Sequence, residues 1–306
     1  MLPVEVKNLS KTYRSNFGFP VEALKEVSFG VDPGEIVGYL GPNGAGKTTT
    51  FKILTGLVKH TSGEASIEGI NINNYKCRAS LGYLPEGPYF YEYLTGEESL
   101  FFYASLFGKK HAEIKNRVSF LLDRFEISYA KDRKLQTYSK GMRQRLGFAQ
   151  CIINDPQLVI LDEPMSGLDP MGRKQFREAI LELKENGKTV LLSSHIMNDI
   201  EMICSRVVLL KSGKIIENAT IHEILNKSEL TTEIVFKPCD ESYKNIFPAN
   251  EKIRKVADLY SCQLIDLSLK NEIIGKLIAM GHDIVQVNQN HKSLEEYFLD
   301  LSKDKL

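Results

Sequence analysis

The feature that most constrains this chain is a glycine-rich loop between a short apolar strand and a helix. Residues 35–40 have the pattern of a buried strand, and residues 47–57 have that of a helix. Glycines between them let successive backbone N–H groups point at phosphate oxygens, and a helix N-terminus favours bound anions. Lys47 is placed to bridge the outer phosphates of ATP, and Thr48 to offer a hydroxyl to Mg²⁺. The predicted phosphate-binding residues are Gly41, Pro42, Asn43, Gly44, Ala45, Gly46, Lys47, Thr48 and Thr49.

A second apolar strand ends in two carboxylates. The run Leu158 to Leu161 is followed by Asp162 and Glu163. At a strand end beside the phosphate loop, Asp162 would hold Mg²⁺ through water, and Glu163 would polarise an attacking water. Alone, such a run is weak support, since a plain buried strand that meets solvent has the same pattern. Together with the loop, the two carboxylates predict hydrolysis of the bound nucleotide.

The remaining pattern predicts two domains. Residues 4–31 alternate apolar and polar side chains, as antiparallel strands do, whereas strands feed helices after residue 156. This order favours an α/β fold with a largely parallel sheet covered on both faces. We expect a nucleotide-binding domain over 1–227, with a helical subdomain at about 87–150. Near residue 228 the pattern changes to short strands and helices in the order strand, helix, strand, strand, helix, strand and helix, which predicts a small α+β domain over 228–306. The topology that we consider for this domain is a ferredoxin-like one.

Local signals mark the starts of helices and one hairpin. Thr95 with Glu98 fits a capping box, Ser139 is placed to cap the next long helix, and Asp169 precedes a proline in the first turn of another. The segment 206–217 predicts a hairpin that turns at Ser212 and Gly213.

The order of these motifs resembles the ABC ATPases, the nucleotide-binding subunits of ATP-binding cassette transporters, over residues 3 to about 225. The segment 138–145 is similar to the signature motif of that family, with Ser139 and Gly141 at its most characteristic positions. Physically, it is a capped helix N-terminus that can bind an anion. The resemblance implies that it binds the γ-phosphate of an ATP held by a second chain, so that two chains sandwich two ATP molecules head to tail.

Three further segments match the family in the same order. Residues 166–169 resemble the loop through which the two ATP sites communicate, and His195 resembles the switch histidine that contacts the γ-phosphate. Tyr13 resembles the aromatic residue that stacks on adenine, although Phe17 and Phe19 are nearby aromatic residues. The resemblance therefore implies a complete ATPase site that uses ATP and Mg²⁺.

Two departures from the family pattern bear on function. Glu86 stands where the family usually has a glutamine that reaches Mg²⁺ and the attacking water, so we assign Glu86 to both the metal-binding and the catalytic residues. In the signature segment, Lys140 replaces a glycine and Met142 a glutamine. These changes and the C-terminal segment 293–301 resemble the bacterial branch that serves ABC-2-type exporters. That branch implies an integral membrane permease as the partner.

Composition limits other classes of function. The 39 basic residues balance the 39 acidic ones, so no overall positive field draws the chain to nucleic acid.

We find no signal-peptide pattern at residues 1–7, and no run approaches the roughly 18–20 apolar residues of a membrane-spanning helix. The five scattered cysteines lack metal-ligand spacing, which favours buried, inert thiols in a reducing cytoplasm. We expect a cytoplasmic protein that is peripheral on the inner face of the plasma membrane through its permease.

Two other interpretations stay open. A non-transport ABC protein that acts on ribosomes or nucleic acid is disfavoured by the single cassette, the lack of a long coiled coil before Asp162 and the balanced charge. A regulatory module that no longer hydrolyses ATP is disfavoured because Lys47, Asp162, Glu163 and His195 are all present. The leading hypothesis is an ATPase that drives a separate permease. The sequence identifies neither the transported substrate nor whether the partner ATPase is a second copy.

Overall fold

The computed structural model describes residues 1–14, 18–227, 230–247, 253–256, 258–264, 269–291 and 294–303. The chain divides into two compact units, Met1–Thr220 and Ile221–Leu306. The division falls at 220/221 rather than at the expected 227/228, because the helix of residues 221–227 lies against the last helix of the second unit. In the part of the chain that is described, no helix combines the length and apolarity needed to cross a membrane.

The first unit contains two β-sheets and a set of helices. Its strands are β1 (Val4–Arg14), β2 (Pro20–Val31), β3 (Ile36–Leu40), β4 (Ser62–Ile67), β5 (Ile70–Asn71), β6 (Leu81–Leu84), β7 (Leu158–Leu161), β8 (Thr189–Ser194), β9 (Arg206–Lys211) and β10 (Lys214–Thr220). Its helices are α1 (Lys47–Leu54), α2 (Gly96–Ser105), α3 (His111–Arg124), α4 (Lys140–Cys151), α5 (Pro170–Glu185) and α6 (Met197–Ile203).

The two sheets differ in direction, as the sequence predicted. The order β2-β1-β4-β5 is antiparallel throughout, whereas the six-stranded sheet β10-β9-β3-β8-β7-β6 is parallel except for the edge hairpin β9–β10. Every residue of β3, β7 and β8 is buried, which explains their continuous apolar runs, since parallel strands are covered on both faces. The register pairs Leu40 with Ser194 and Leu161 with Leu192, so the carboxyl ends of these strands meet at one edge.

The caps that the sequence indicated are present. Thr95 and Glu98 form a reciprocal capping box at the start of α2. Ser139 caps α4 by accepting the backbone N–H of Met142 at 3.2 Å, and Asp169 caps α5 by accepting that of Gly172 at 3.0 Å. Each of these side chains satisfies a donor that the helix leaves free at its first turn.

The second unit is built around one antiparallel sheet. Its elements are α7 (Ile221–Lys227), β11 (Leu230–Lys237), a 3₁₀ turn (Glu241–Asn245), β12 (Ile253–Val256), β13 (Leu259–Leu264), α8 (Lys270–Ala279), β14 (Asp283–His291) and α9 (Leu294–Lys303). The sheet has the order β12-β13-β11-β14, and Ile234, Phe236 and Leu277 lie in the core beside it. The order strand, turn, strand, strand, helix, strand has a 3₁₀ turn where a ferredoxin-like unit has its first helix.

The cysteines differ in environment. All five are described, and four are buried as predicted: Cys77, Cys151, Cys204 and Cys262. Burial raises the pKa of the Cys151 and Cys204 thiols, which keeps them protonated. Cys239 is exposed, so the prediction of a buried thiol is wrong at this position, which lies in the turn after β11.

Candidate functional site

The glycine-rich loop leaves the carboxyl end of β3 and runs directly into α1. Gly41, Gly44 and Gly46 have φ angles of 154°, 79° and 113°, a region that side chains rarely adopt. A Cβ at Gly41 would lie 2.3 Å from the Leu210 carbonyl oxygen, and one at Gly46 would lie 2.6 Å from the Ala23 carbonyl oxygen. Close backbone packing therefore requires glycine at both positions. A Cβ at Gly44 would have no atom of the described residues within 4 Å, so this side of the loop faces open space.

Lys47 is a buried cation held across this loop. Its side chain is 7% exposed, and Nζ donates a hydrogen bond of 2.7 Å to the Gly41 carbonyl oxygen. The Pro42 carbonyl oxygen lies 3.4 Å from the same Nζ, and the Glu163 Oε1 atom lies 3.7 Å away. The ammonium thus sits inside the curve of the loop, where a buried positive charge favours an anionic ligand.

Asp162 follows β7 and faces the start of α1. Its Oδ1 atom accepts a hydrogen bond of 2.7 Å from the Ser193 hydroxyl. Burial raises the pKa of the Asp162 carboxyl, hydrogen bonds from Ser193 and Thr48 oppose that shift, and the charges of Glu163 and Glu86 add to it. The Oδ2 atom is buried without a hydrogen-bond partner in the described structure. Such an oxygen beside the Thr48 hydroxyl fits a water molecule or a magnesium ion, which prefers oxygen ligands.

Glu163 connects the other charged groups. Its Oε2 atom accepts a hydrogen bond from the His195 backbone N–H at 3.2 Å and interacts with His195 Nδ1 at 2.7 Å, while Oε1 faces Lys47. Its backbone N–H donates to the Ser193 hydroxyl at 2.9 Å. The φ angle of Glu163 is 50°, a left-handed conformation that costs roughly 1–3 kcal/mol for a residue other than glycine. The contacts of Ser193, His195 and Lys47 hold this strained residue in place.

A cavity lies at the start of α4 and is lined by residues of the signature segment. It has a volume of about 450 Å³, and Ser139, Gly141, Leu168 and Asp169 are among its lining residues. None of residues 41–49 is among its lining residues. Gln144, buried in α4, donates a hydrogen bond of 2.8 Å to the Pro164 carbonyl oxygen. This bond ties the signature helix to the segment that follows Glu163.

Comparison with known proteins gives the family. The family model described as ABC transporter matches residues 24–166. An uncharacterised ABC transporter ATP-binding protein of Synechocystis sp. is 40% identical over 97% of this chain and 83% of its own length. The chain belongs to the ABC transporter ATP-binding proteins. A similar protein of Bacillus subtilis is 36% identical, over 97% of this chain and 96% of its own length.

Solved structures of ABC transporter ATP-binding subunits share the fold. One, an ATP-binding subunit of an ABC transporter, has a TM-score of 0.67 at 35% identity and covers 74% of this chain and 93% of its own. The dimeric ATP-binding cassette MJ0796, in a post-hydrolysis state with ADP and Pi, has a TM-score of 0.67 at 26% identity and covers 71% of this chain and 98% of its own. The fold is therefore that of an ABC ATPase, a family that binds and hydrolyses ATP.

Tyr13 and Glu86, which the sequence assigned to adenine and to the metal of this ABC ATPase, are both exposed. Tyr13, on β1, is 37% exposed, and Lys11 Nζ lies 4.8 Å from the centre of its ring. Of the alternatives, Phe19 is 76% exposed, and Phe17 lies outside the described residues. Glu86 follows β6, is exposed, and lies close enough to Asp162 to raise the pKa of that carboxyl. An exposed aromatic ring and an exposed carboxylate are available to a ligand.

Ser193 is the site residue that the sequence analysis missed. Its hydroxyl joins the carboxylate of Asp162 to the backbone N–H of Glu163. The signal was available in the strand Thr189–Ser194, where an apolar run ends in two serines. Those serines indicate a role in the site only when β8 is known to pair with β7. In that pairing Leu161 lies opposite Leu192, so the residues that follow them, Asp162 and Ser193, become neighbours.

Proposed function

We propose that this ABC ATPase energises a separate membrane permease, and that the transporter is an exporter of the ABC-2 type. The observation that carries the hydrolytic part is the contact network of Lys47, Asp162, Glu163 and His195 at one edge of the parallel sheet. The buried cation can bind phosphates, the carboxylate with an unpartnered oxygen can bind a metal ion, and the second carboxylate can orient the attacking water.

In this proposal, the residues of the site divide the work. The backbone N–H groups of residues 41 and 43–49 and the Lys47 ammonium bind the phosphates of ATP, and Tyr13 stacks on the adenine. Thr48, Asp162 and Glu86 would hold Mg²⁺, which would neutralise charge on the phosphate oxygens. The sites of the nucleotide and the metal thus share the start of α1.

Glu163 is the general base of the proposed reaction. It accepts a proton from the attacking water, for which it must be ionised and correctly turned. The His195 ring lies 2.7 Å from Oε2 and fixes the position of that carboxylate. Its other edge would contact the γ-phosphate. Glu86, also at the metal, tunes the rate through its charge. Ser193 positions Glu163 through its backbone.

We infer that the working form is a head-to-tail dimer. The cavity that Ser139 and Gly141 line has none of residues 41–49 in its lining, which supports an arrangement in which these two residues contact the ATP of a second chain. The dimeric state of MJ0796 is a further support. The closed dimer would be stabilised by contacts with the γ-phosphate that the open form lacks. Hydrolysis would remove those contacts, and the dimer would then open, since a ligand shifts a conformational equilibrium only through contacts that differ between the two states.

The permease is inferred from the surface of the helical region and from relatives. Tyr89, Tyr91 and Tyr93 are 82%, 43% and 67% exposed, and large aromatic residues are enriched at protein interfaces. The linearmycin resistance ATP-binding protein LnrL of Bacillus subtilis is 28% identical over 98% of both chains. The name of that relative refers to resistance to linearmycin, which supports export as the direction of transport. The protein would act at the inner face of the plasma membrane, and its balanced charge gives no support to a nucleic-acid partner.

A pull-down from detergent-solubilised native membranes tests this proposal. We expect mass spectrometry to recover a polytopic membrane protein with the tagged chain. A variant with Tyr89→Ala and Tyr93→Ala should lose that protein, while Tyr75→Ala, which alters an aromatic residue that is 72% exposed in a different part of the unit, should retain it. Recovery of ribosomes or DNA-bound proteins instead would overturn the transport proposal and favour the non-transport alternative.

A further inference from the structure

Three side chains with different ligand atoms meet in the second unit, where β11 has ended and β14 begins. They are Cys239, Asp240 and His282, and one ligand atom from each lies within 4.8 Å of the other two. Cys239 and Asp240 are exposed, whereas His282 is only 3% exposed. The group therefore has one buried anchor and an open side through which an ion can enter.

The hydrogen bonds of His282 fix which ring nitrogen faces the cysteine. The Ser242 hydroxyl donates to Asp240 Oδ1 at 2.5 Å, so its oxygen is free to accept a hydrogen bond from His282 Nε2, which lies 3.1 Å away. This arrangement places the ring proton on Nε2 and leaves a lone pair on Nδ1. Metal-binding histidines in proteins commonly donate their second ring N–H in this way.

Nδ1 of His282 and the thiol of Cys239 have the spacing of neighbouring metal ligands. Nδ1 lies 3.4 Å from Cys239 Sγ. Tetrahedral zinc with a Zn–S distance of about 2.3 Å and a Zn–N distance of about 2.0–2.1 Å places those two atoms about 3.5 Å apart. A metal ion would replace two hydrogen bonds of these atoms, the one that Nδ1 accepts from the Cys239 N–H at 3.2 Å and the one that the Cys239 thiol donates to the Met280 carbonyl oxygen at 3.4 Å.

We propose that Cys239, Asp240 and His282 form a binding site for a zinc-class divalent transition-metal ion. A thiolate, an imidazole and a carboxylate together suit zinc or cobalt, whereas magnesium prefers oxygen ligands, so this site differs in chemistry from the one at Thr48 and Asp162. Three protein ligands leave a fourth position for water or another ligand. The ion would join the end of β11 to the start of β14, across 43 residues of chain, and would stabilise the second unit by binding its folded form.

Cobalt titration of the full chain tests the site, because a thiolate bound to Co²⁺ gives a charge-transfer absorption that oxygen ligands do not. We expect this absorption to saturate at one equivalent and to disappear when Zn²⁺ is added. Cys239→Ser should abolish it, and His282→Gln should weaken cobalt affinity at least about tenfold. Asp283→Asn, which alters the exposed carboxylate next to His282, and Asp162→Asn, which alters the nucleotide site, should leave it unchanged.

Thiol protection in the unaltered chain gives a second measurement that does not depend on how the variants fold. Of the five cysteines, all within the described residues, Cys239 alone is exposed, so iodoacetamide should alkylate it first. Saturating Zn²⁺ should slow that alkylation at least about tenfold, as a ligand thiolate is shielded. Absence of the cobalt–thiolate absorption, its survival in Cys239→Ser, or equal alkylation rates with and without Zn²⁺ would each overturn the proposal.

Discussion

Replacing Ser193 with alanine tests how the two carboxylates of the ATPase site are held. The Ser193 hydroxyl donates to Asp162 Oδ1 at 2.7 Å and accepts the Glu163 N–H at 2.9 Å, and both bonds are buried. A hydrogen bond to a charged group contributes about 1.5–3 kcal/mol, and a buried donor left without a partner costs about 1–3 kcal/mol. Because local adjustment recovers part of this loss, we expect Ser193→Ala to lower the free energy of unfolding by about 2–4 kcal/mol.

The neighbouring serine is a matched control. Ser194 is also buried at the end of the same strand, and its hydroxyl accepts the Ile196 N–H at 3.0 Å. Because this bond is between neutral groups, Ser194→Ala should cost only about 0.5–1.5 kcal/mol. Urea unfolding measures both losses. The turnover number for ATP should fall at least about tenfold in Ser193→Ala, in which the backbone of Glu163 is released, and should change little in Ser194→Ala.

The loss should also depend on pH. Burial raises the pKa of Asp162 in the folded protein, so its contribution to stability is fully present below its ordinary pKa and is lost as the pH rises through the raised value. Ser193→Ala removes a bond that favours the ionised form and raises that pKa further. The loss in free energy of unfolding caused by Ser193→Ala should therefore be larger at neutral pH than at acid pH. Equal stability losses and equal turnover numbers in Ser193→Ala and Ser194→Ala would refute the proposed role of the Ser193 hydroxyl.

Four further substitutions give three more tests. Lys47→Ala removes the buried cation and should weaken ATP binding by at least about tenfold, since a charge-assisted hydrogen bond is worth about 1.5–3 kcal/mol. Calorimetry measures the ATP affinity, and an unchanged affinity would contradict the assignment of Lys47 to the phosphates. Glu86→Gln should change the ATPase rate more than ATP affinity, and an effect on affinity alone would remove Glu86 from the reaction. In Gly46→Ala the added Cβ would lie against a backbone carbonyl oxygen, so this variant should lose nucleotide binding. Gly44→Ala has open space around the added Cβ and should keep nucleotide binding, with a loss of about 1 kcal/mol in stability. Equal effects of the two substitutions on nucleotide binding would contradict the difference in packing between the two glycines.

Sequence patterns predicted much of the first unit because its strongest signals are local. The glycine-rich loop, the apolar run before Asp162 and the caps at Thr95 and Ser139 each depend on residues a few positions apart. The hairpin was predicted for the same reason, and Ser212 and Gly213 have the positive φ angles of a two-residue turn. Short-range chemistry therefore determined the positions of most elements.

The features that were missed depend on contacts between distant segments. Ser193 acts on residues 30 and 31 positions away, and the strand pairing that joins them has no local signature. The left-handed backbone of Glu163 has no sequence signal either, since glutamate is not a residue that favours it. Cys239 and His282 are 43 residues apart, so their sequence spacing gave no indication of a common site.

The molar mass of Glu163→Gln in saturating MgATP, measured by size-exclusion chromatography with light scattering, is the decisive test of the proposed ATP sandwich. The substitution removes the proposed base but keeps the buried side chain's size, so ATP should bind without being hydrolysed. We predict the mass of two chains with two ATP molecules bound, and the mass of one chain when Lys47→Ala is added. A single-chain mass for Glu163→Gln with ATP bound would contradict the sandwich mechanism and the assignment of Glu163.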